Sequence, residues 1–344
     1  MNPLWQDFLT AQGAQMKDGR VIHFGQPALE LAPTPDDSII ADLSHLGMLQ
    51  ADGTDALTFL QGQLTNDVKL LDGNNSQYTG YCTPKGRLLT IFLAFTHHDH
   101  IYLQLNGALT ESVLKRLKMY VMRSHVTLTD ISNSTVRIGL AGTGAAAVLS
   151  RIFDEIPQQA HQVVNLESTH ILRLPGDLPR FEIITAPEQA TALWTALQPG
   201  CTAVGTDRWE WLEIKSGTPD VVLATQEAFV PQMVNLDLLG GINFKKGCYT
   251  GQEIVARTHY LGKVKRRTYL AHMDTALTPQ AGDPLYGSDS QDAVGQVVRA
   301  ATAPAGGFDL LAELRSESAG TSAIHWASPE GATLTLLEMP YSMA

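Results

Sequence analysis

The order of strand-like and helix-like segments most constrains how this chain can fold. The segments HILRLP (170–175) and RFEIIT (180–185) follow one another, and the helix-like segment Pro187–Leu197 comes only after both. A doubly wound parallel sheet needs a helix between consecutive strands. The order strand, strand, helix therefore predicts an α+β fold with antiparallel layers.

Hydrophobic spacing predicts further elements on either side of these strands. Helices are expected over residues 1–12, over the segment with Leu57, Phe59 and Leu60, and over 108–122, 145–153 and 187–197. Asp207 and Glu210 have the spacing of a capping box, which predicts a helix that starts at Asp207 and closes near Gly217. A tight turn at His97–His100 should join two strands. The segment from Asp220 to about Lys265 is predicted to consist of turns.

The length of 344 residues predicts more than one domain, because single cores rarely grow beyond about 250 residues. After Arg267 the chain consists of short strand-like pieces separated by Gly, Asp and Pro. This pattern suits a small antiparallel β-barrel. We therefore predict a boundary between Lys263 and Thr268, with one region over residues 1–262 and a C-terminal barrel over 263–344.

Charge and cysteine content limit the classes of partner and compartment. The chain has 35 Asp and Glu against 24 Lys and Arg, a net charge of −11, so nucleic acid would need a local basic patch. No apolar run reaches the length of a membrane span, and the N-terminal residues do not have the pattern of a secretory signal. Three widely spaced cysteines indicate a reducing compartment, for which the cytoplasm is the expectation.

The stretch KGCYTGQEIVAR (246–257) contains the most promising chemical group, the thiol of Cys248. Seven of the 24 basic residues lie between Lys245 and Arg267, with only Glu253 opposing them. Such a positive field favours a reactive thiolate and attracts an anionic ligand. The alternative is a small buried cysteine within a solvated basic loop. The pattern alone leaves both interpretations open.

Three weaker patterns are interpreted as structural features. The GxGxxA pattern in 141–149 could bind a pyrophosphate, but the mixed strands around it favour a glycine turn that leads into a packing helix. The His97–His100 turn is more typical of a solvated hairpin than of a metal site, and the chain has no CxxC or HxxxH pair, so no metal site is predicted. Trp209 and Trp211 face different sides of their helix, so only one can stack on a planar ligand.

Two longer segments resemble a known family. FVPQMVNLDLLGGINFKKGCYTGQEIVARTHYLGKVKRR (229–267) closely resembles the hallmark region of the YgfZ family of folate-binding proteins. DLSHLGMLQADGTDALTFLQGQLTNDV (42–68) and the YTGY and PKGRLL segments resemble the opening of the wider family that includes the glycine-cleavage aminomethyltransferase, or T-protein. The resemblance covers roughly residues 40–267, and DAVGQVVRA in the C-terminal region is a weaker match.

This resemblance implies a T-protein-like fold of three subdomains around a central folate pocket. It implies a tetrahydrofolate derivative as cofactor, and iron-sulfur enzymes or their assembly proteins as partners, linked to tRNA methylthiolation. Direct tRNA contact, at Lys263 to Arg267, is the less favoured alternative. Trp209 matches a tryptophan that lines the folate site, and Cys248 matches the cysteine of the family signature. Around that cysteine the expected ligand-binding residues are Lys246, Gly247, Tyr249, Gly251, Gln252, Glu253 and Arg257.

Other positions depart from the T-protein pattern. Thr90 and Ile91 occupy the positions of its aspartate pair, and Lys215 replaces a glutamate that contacts folate. Leu46 occupies the position of a second aromatic residue found in some relatives. Aminomethyl transfer is therefore disfavoured, because neither Thr nor Ile accepts a proton as a carboxylate does. An iron-sulfur role with Cys248 as the functional thiol is favoured, with a one-carbon transferase and a non-enzymatic folate-binding module as alternatives.

Overall fold

The computed structural model describes residues 1–32, 38–260, 262, 264–288 and 290–343. These residues form two compact units. The first contains Met1–Ala56, Leu70–Gln77 and Leu93–Trp209, and the second contains Leu57–Lys69, Tyr78–Phe92 and Glu210–Ala344. Lys263, where the predicted domain boundary starts, lies outside the described residues. The division into 1–262 and 263–344 stays a prediction.

The regular elements follow in chain order. The helices are α1 (Pro3–Ala11), α2 (Pro27–Leu31), α3 (Ala56–Gln61), α4 (Thr110–Val121), α5 (Ala145–Leu149), α6 (Pro187–Leu197), α7 (Thr206–Lys215), α8 (Gln252–Tyr260) and α9 (Ser316–Thr321). The strands up to the hairpin are β1 (Gln15–Lys17), β2 (Arg20–His23), β3 (Ser38–Asp42), β4 (Leu46–Asp52), β5 (Ser76–Cys82), β6 (Leu88–His97) and β7 (His100–Asn106).

The remaining strands continue the numbering. They are β8 (Thr127–Asp130), β9 (Val136–Ala141), β10 (Val163–Asn165), β11 (Thr169–Leu174), β12 (Arg180–Thr185), β13 (Cys201–Val204), β14 (Arg266–Met273), β15 (Pro284–Gly287), β16 (Ala293–Thr302), β17 (Phe308–Arg315), β18 (Ile324–Trp326) and β19 (Thr333–Leu337).

A six-stranded sheet forms the centre of the first unit. Its order is β10-β11-β12-β9-β3-β13, and only the β13–β3 pair is parallel. Trp5 of α1 and Trp194 of α6 are fully buried in its core, with ring centroids 5.5 Å apart. The indole Nε1 of Trp5 donates a hydrogen bond to Asp42 Oδ1 at 2.7 Å, so the N-terminal helix is fixed by a polar anchor as well as by packing.

The predicted antiparallel layers are confirmed, and the glycine pattern of 141–149 has the structural role expected of it. Strand β9 pairs antiparallel with β12 and with β3, so it belongs to no parallel βαβ unit. Gly142, with φ of +131°, turns the chain into α5, whose residues Ala145, Val148 and Leu149 are buried. A helix this short at an antiparallel strand is a packing element and not a pyrophosphate site.

The histidine-rich hairpin is also confirmed as a two-residue turn. His97 pairs with His100, which leaves His98 and Asp99 at the tip. The side chain of His100 contacts Asp52, and the ring of His97 lies 4.9 Å from that of His170. Within the described residues, no group of three His, Cys, Asp or Glu side chains is arranged to hold a metal ion.

A closed β-barrel occupies the C-terminal part of the second unit, as predicted. Its order is β14-β17-β16-β15-β18-β19, with β14 pairing back to β19 and every pair antiparallel. Alternate residues such as Ala271, Leu310 and Ala312 fill the interior. Among the helices of the described ranges, not one has both the length and the apolar character that crossing a bilayer would require.

The bounds of α5 and α7 differ from the prediction, and three helices, α2, α8 and α9, were not predicted. Helix α5 ends at Leu149, four residues before the predicted end at Phe153, and α7 begins at Thr206, so Asp207 lies in its first turn and does not cap it. Residues 252–260, predicted as part of a turn-rich segment, form α8. Element ends are the least certain part of pattern analysis, because short-range capping groups compete there.

Candidate functional site

The side chain of Cys248 is exposed to solvent on a loop. Lys246, two residues earlier, attaches this loop to the rest of the unit. Lys246 is only 8% exposed. Its ammonium donates to three backbone carbonyls at and just beyond the C-terminal end of α3, those of Gln61 at 2.8 Å, Leu64 at 2.6 Å and Asn66 at 2.7 Å. Carbonyls at a helix C-terminus lack partners within the helix and attract a cation. Lys246 therefore anchors the thiol loop.

Burial shifts the pKa values of Lys246 and Tyr249, the two residues that flank Gly247 and Cys248. Desolvation lowers the pKa of Lys246 to about 8, which still leaves it mainly protonated at pH 7. The Tyr249 ring lies 5.1 Å from the Lys246 ammonium and is 8% exposed, and burial raises the pKa of its hydroxyl. Both side chains therefore point into the unit, while Cys248 between them points out.

Gly251 brings two of the recognised sequence segments together. Its φ is +85°, and a Cβ there would lie 2.5 Å from the carbonyl oxygen of Thr83 and 2.9 Å from the Cα of Gly86. Gly86 itself has φ of +67° in the turn between β5 and β6. The PKGR turn and the KGCYTG loop thus pack backbone against backbone. By contrast, a Cβ at Gly247 would meet nothing within 4 Å in the described residues.

Replacing Gly251 with alanine is expected to reduce the free energy of unfolding by about 2–4 kcal/mol, because a left-handed residue and a backbone clash are combined. Gly247→Ala is the matched control, five residues before the start of α8, and it should change stability by less than about 0.5 kcal/mol. Urea unfolding followed by circular dichroism measures both. Equal unfolding midpoints for the two variants would contradict the packing described for Gly251.

Gln252, Glu253 and Arg257 lie on α8, which begins directly after the thiol loop. Glu253 and Arg257 are exposed, Gln252 is half-buried, and Val255 carries the buried face of the helix. These residues therefore present polar groups to solvent beside the thiol loop. The signal for this helix was the Glu253 and Arg257 pair four residues apart, a spacing that supports a helix.

The local positive field is weaker than the sequence count predicts, because several of the cations have partners inside the unit. Arg267 makes a two-pronged ion pair with Asp237, at 2.6 and 2.9 Å, and Arg266 binds the fully buried Glu313. Lys263 lies outside the described residues. The cluster members of the described chain that are exposed are Lys245, Arg257 and Lys265.

Trp209 lies in the first unit and is 2% exposed. Its ring covers Gly139 of β9 so closely that a Cβ there would be 2.6 Å from the indole. The guanidinium of Arg180 lies over the ring at 5.9 Å from the centroid. Trp211, two residues along the helix, instead donates from Nε1 to Asp309 Oδ2 at 2.8 Å in the second unit. The two tryptophans therefore have separate roles, as their spacing predicted.

Glu182 is a candidate that sequence reasoning missed. It lies directly opposite Gly139 in the β12–β9 pair, so its side chain points to the face that Trp209 covers. It is 1% exposed and accepts a hydrogen bond from Gln104 Nε2 at 2.9 Å. A buried carboxylate beside an indole ring can bind a planar ring that carries N–H donors. The signal was a lone carboxylate in the apolar strand RFEIIT.

Comparison with known proteins places this geometry in a family. The family model described as the GCVT N-terminal domain matches residues 20–238. The tRNA-modifying protein YgfZ of Sodalis glossinidius is 32% identical over 92% of this chain and 97% of its own. The protein of the same name from Pectobacterium carotovorum is 30% identical over 92% and 95%. The chain belongs to the YgfZ family.

The fold expected of a YgfZ-family protein is confirmed by a solved structure. Glycine cleavage system aminomethyltransferase T from Bartonella henselae matches with a TM-score of 0.77 over 99% of this chain and 98% of its own, at 16% identity. At that identity the match concerns the fold alone. The chain therefore has the T-protein-like α+β fold with a C-terminal antiparallel barrel.

At the positions where this YgfZ-family chain departs from the T-protein pattern, the side chains are buried or make contacts within the chain. Thr90 is fully buried in β6 and Ile91 is 7% exposed, so no carboxylate is presented there. Lys215 lies with its ammonium 3.7 Å from Asp309 Oδ2. The backbone carbonyl of Leu46 accepts a hydrogen bond from Arg137 Nη2 at 2.7 Å. An acid–base group equivalent to the aspartate pair is therefore missing at these positions.

Proposed function

We propose that this protein binds a tetrahydrofolate derivative and supports the assembly or repair of iron-sulfur enzymes in the cytoplasm, including enzymes of tRNA methylthiolation. The observation that carries the proposal is the exposed Cys248 on a loop that a buried lysine anchors. The curated relatives are named tRNA-modifying proteins, which supports the link to tRNA. In this role Cys248 is the group that meets the partner enzyme or its assembly protein.

Trp209 and Glu182 are the residues that would hold the folate ring. The pterin ring carries an amino group and a ring N–H, and a buried carboxylate is a suitable acceptor for both. The indole supplies an aromatic surface beside that carboxylate. Folate, when bound, supplies a carrier for one-carbon units. The chain's own residues bind and orient the ring, and they exclude water from it by burial.

The two alternative functions differ in what they require of the chain. A one-carbon transferase needs a group that moves protons at the acceptor, and the buried Thr90 and Ile91 do not provide one. A non-enzymatic folate-binding module needs no reactive group and would leave the exposed thiol without a role. The exposed Cys248 therefore favours the thiol-dependent function over both.

Isothermal titration with tetrahydrofolate tests the folate site. Glu182→Gln and Trp209→Leu should each weaken binding at least about tenfold, since each removes a buried contact worth about 1–3 kcal/mol. Trp211→Leu, on the same helix but bonded to Asp309, is the matched control and should bind within about twofold of the wild type. Unchanged binding in Glu182→Gln and Trp209→Leu would rule out this site.

Complementation of a deletion strain tests the thiol separately. Cys248→Ala should fail to restore methylthiolated nucleosides in bulk tRNA, measured by mass spectrometry, while its folate affinity stays at the wild-type value. Cys201→Ala is the control, because that half-buried thiol lies in the first unit and should support full restoration. Full restoration by Cys248→Ala would remove the thiol from the proposed function and leave the folate site to be judged by titration.

A further inference from the structure

The solvent face of α4 and the turn after it carry a concentrated positive charge. From Ser112 to Thr129 the chain has four Lys and Arg residues and no Asp or Glu, although its net charge is −11. Lys115, Lys118 and Arg123 are exposed. The nearest acidic residues along the chain are Glu111, just before this stretch, and Asp130, just after it. This is a local cationic surface on an otherwise acidic chain.

Exposed apolar side chains accompany these cations. Met119 is 64% exposed, Tyr120 is 40% exposed and Met122 is 87% exposed. The residues that hold the helix to its unit are instead Val113 and Leu117, which are buried. The helix therefore keeps its apolar face for the core and presents a mixed basic, aromatic and thioether surface to solvent.

The chemistry of this surface distinguishes among three classes of partner. A bilayer surface would need a continuous apolar face to enter it, and the apolar face of α4 is already buried by Val113 and Leu117. A protein partner is disfavoured, because the cores of protein interfaces are depleted in lysine. Glu111 lies one turn before Lys115 on α4, but neither Lys115 nor Lys118 forms an ion pair within the described residues. Exposed lysine and arginine side chains of this kind are typical of contacts to a phosphate backbone, and an exposed tyrosine can stack on a base.

We propose that α4 and the turn after it form an RNA-binding surface that contacts the phosphate backbone of a folded RNA such as tRNA. Lys115, Lys118 and Arg123 make the phosphate contacts, and Tyr120 stacks on an unpaired base. Asp55 is a carboxylate near the turn after α4, but its Oδ2 already accepts a hydrogen bond from the backbone N–H of His125 at 2.8 Å. The inference does not depend on folate or on Cys248.

This surface differs from the tRNA contact predicted at Lys263 to Arg267. In that segment Arg266 pairs with Glu313 and Arg267 pairs with Asp237, so two of its cations are already neutralised. Within the described residues, neither Lys115 nor Lys118 makes a comparable ion pair. The structure therefore moves the favoured RNA contact from that segment to α4.

Fluorescence anisotropy with labelled bulk tRNA, at KCl from about 50 to about 200 mM, tests the proposal. The triple variant Lys115→Gln, Lys118→Gln and Arg123→Gln should bind at least about tenfold more weakly at the low salt. The slope of log affinity against log salt should become shallower by about 2–3, since each lost phosphate contact contributes about 0.7–0.9. Tyr120→Ala should weaken binding at least about fivefold and leave the slope unchanged.

The control is a triple variant that removes three positive charges from other parts of the chain. It carries Lys17→Gln, Lys69→Gln and Lys85→Gln, and these three lysines are also exposed. It should bind tRNA within about twofold of the wild type. Equal weakening in both triple variants would reduce the effect to overall charge and overturn the proposal. Absence of tRNA binding by the wild type at the low salt would overturn it too, as would binding to phosphatidylglycerol vesicles or poly-glutamate in place of tRNA.

Discussion

Replacing Lys246 with methionine is expected to reduce the free energy of unfolding by about 3–5 kcal/mol. The change removes the Lys246 donor from three backbone carbonyls, of which those of Leu64 and Asn66 are buried, and so removes the anchor of the thiol loop. Methionine keeps the length of the side chain, so the effect reports the lost hydrogen bonds more than lost packing. Urea unfolding measures the change.

Lys245→Met is the matched control for this experiment. Lys245 is the neighbouring residue and has the same charge, but its side chain is exposed. Its replacement should change stability by less than about 0.5 kcal/mol. If the two variants unfold at the same urea concentration, then Lys246 does not anchor the loop.

Replacing Arg266 with methionine is the second change with a large expected effect. Glu313 is fully buried on β17 and is held by Arg266, with Nη2 at 3.0 Å from Oε2. Burial alone raises the pKa of Glu313, and the guanidinium opposes that rise. Removing Arg266 leaves a buried carboxylate without its countercharge, so we expect a loss of about 3–5 kcal/mol.

The double variant Arg266→Met, Glu313→Leu shows whether the loss comes from the unpaired charge. It should recover most of the stability, because replacing both members of a buried pair with apolar residues is often neutral. Lys265→Met, at the exposed residue just before Arg266, should stay within about 0.5 kcal/mol of the wild type. If the double variant is as unstable as Arg266→Met, then the loss of stability comes from disrupted packing and not from the unpaired charge.

The parts of the fold that could be predicted from sequence are those encoded by local patterns. Helix α6 has the predicted bounds Pro187–Leu197, and the His97–His100 hairpin forms as expected, because hydrophobic period and turn residues act within a few positions. Helix α8 was missed because only Val255 of its residues is buried, which leaves little apolar periodicity to detect.

The candidate site was harder to predict, because its contacts join distant parts of the chain. The sequence identifies Lys246 as one charge in a basic cluster, but its acceptor in α3 is 185 residues away. Arg266 likewise finds its carboxylate 47 residues along the chain. Glu182 became a candidate only when strand pairing set it opposite Gly139. Charge counts do not reveal such partners, since pairing depends on tertiary structure.

The long reach of the Lys246 contact also affects when the protein acquires an ordered thiol loop. The ammonium and the carbonyl of Gln61 are separated by 185 residues, so a ribosome moving at about 5–20 residues per second needs roughly 10–40 s to add the lysine after the helix that receives it. Until then the carbonyls at and just beyond the end of α3 lack the Lys246 ammonium. Nascent chains therefore expose this helix end well before Cys248 has been made.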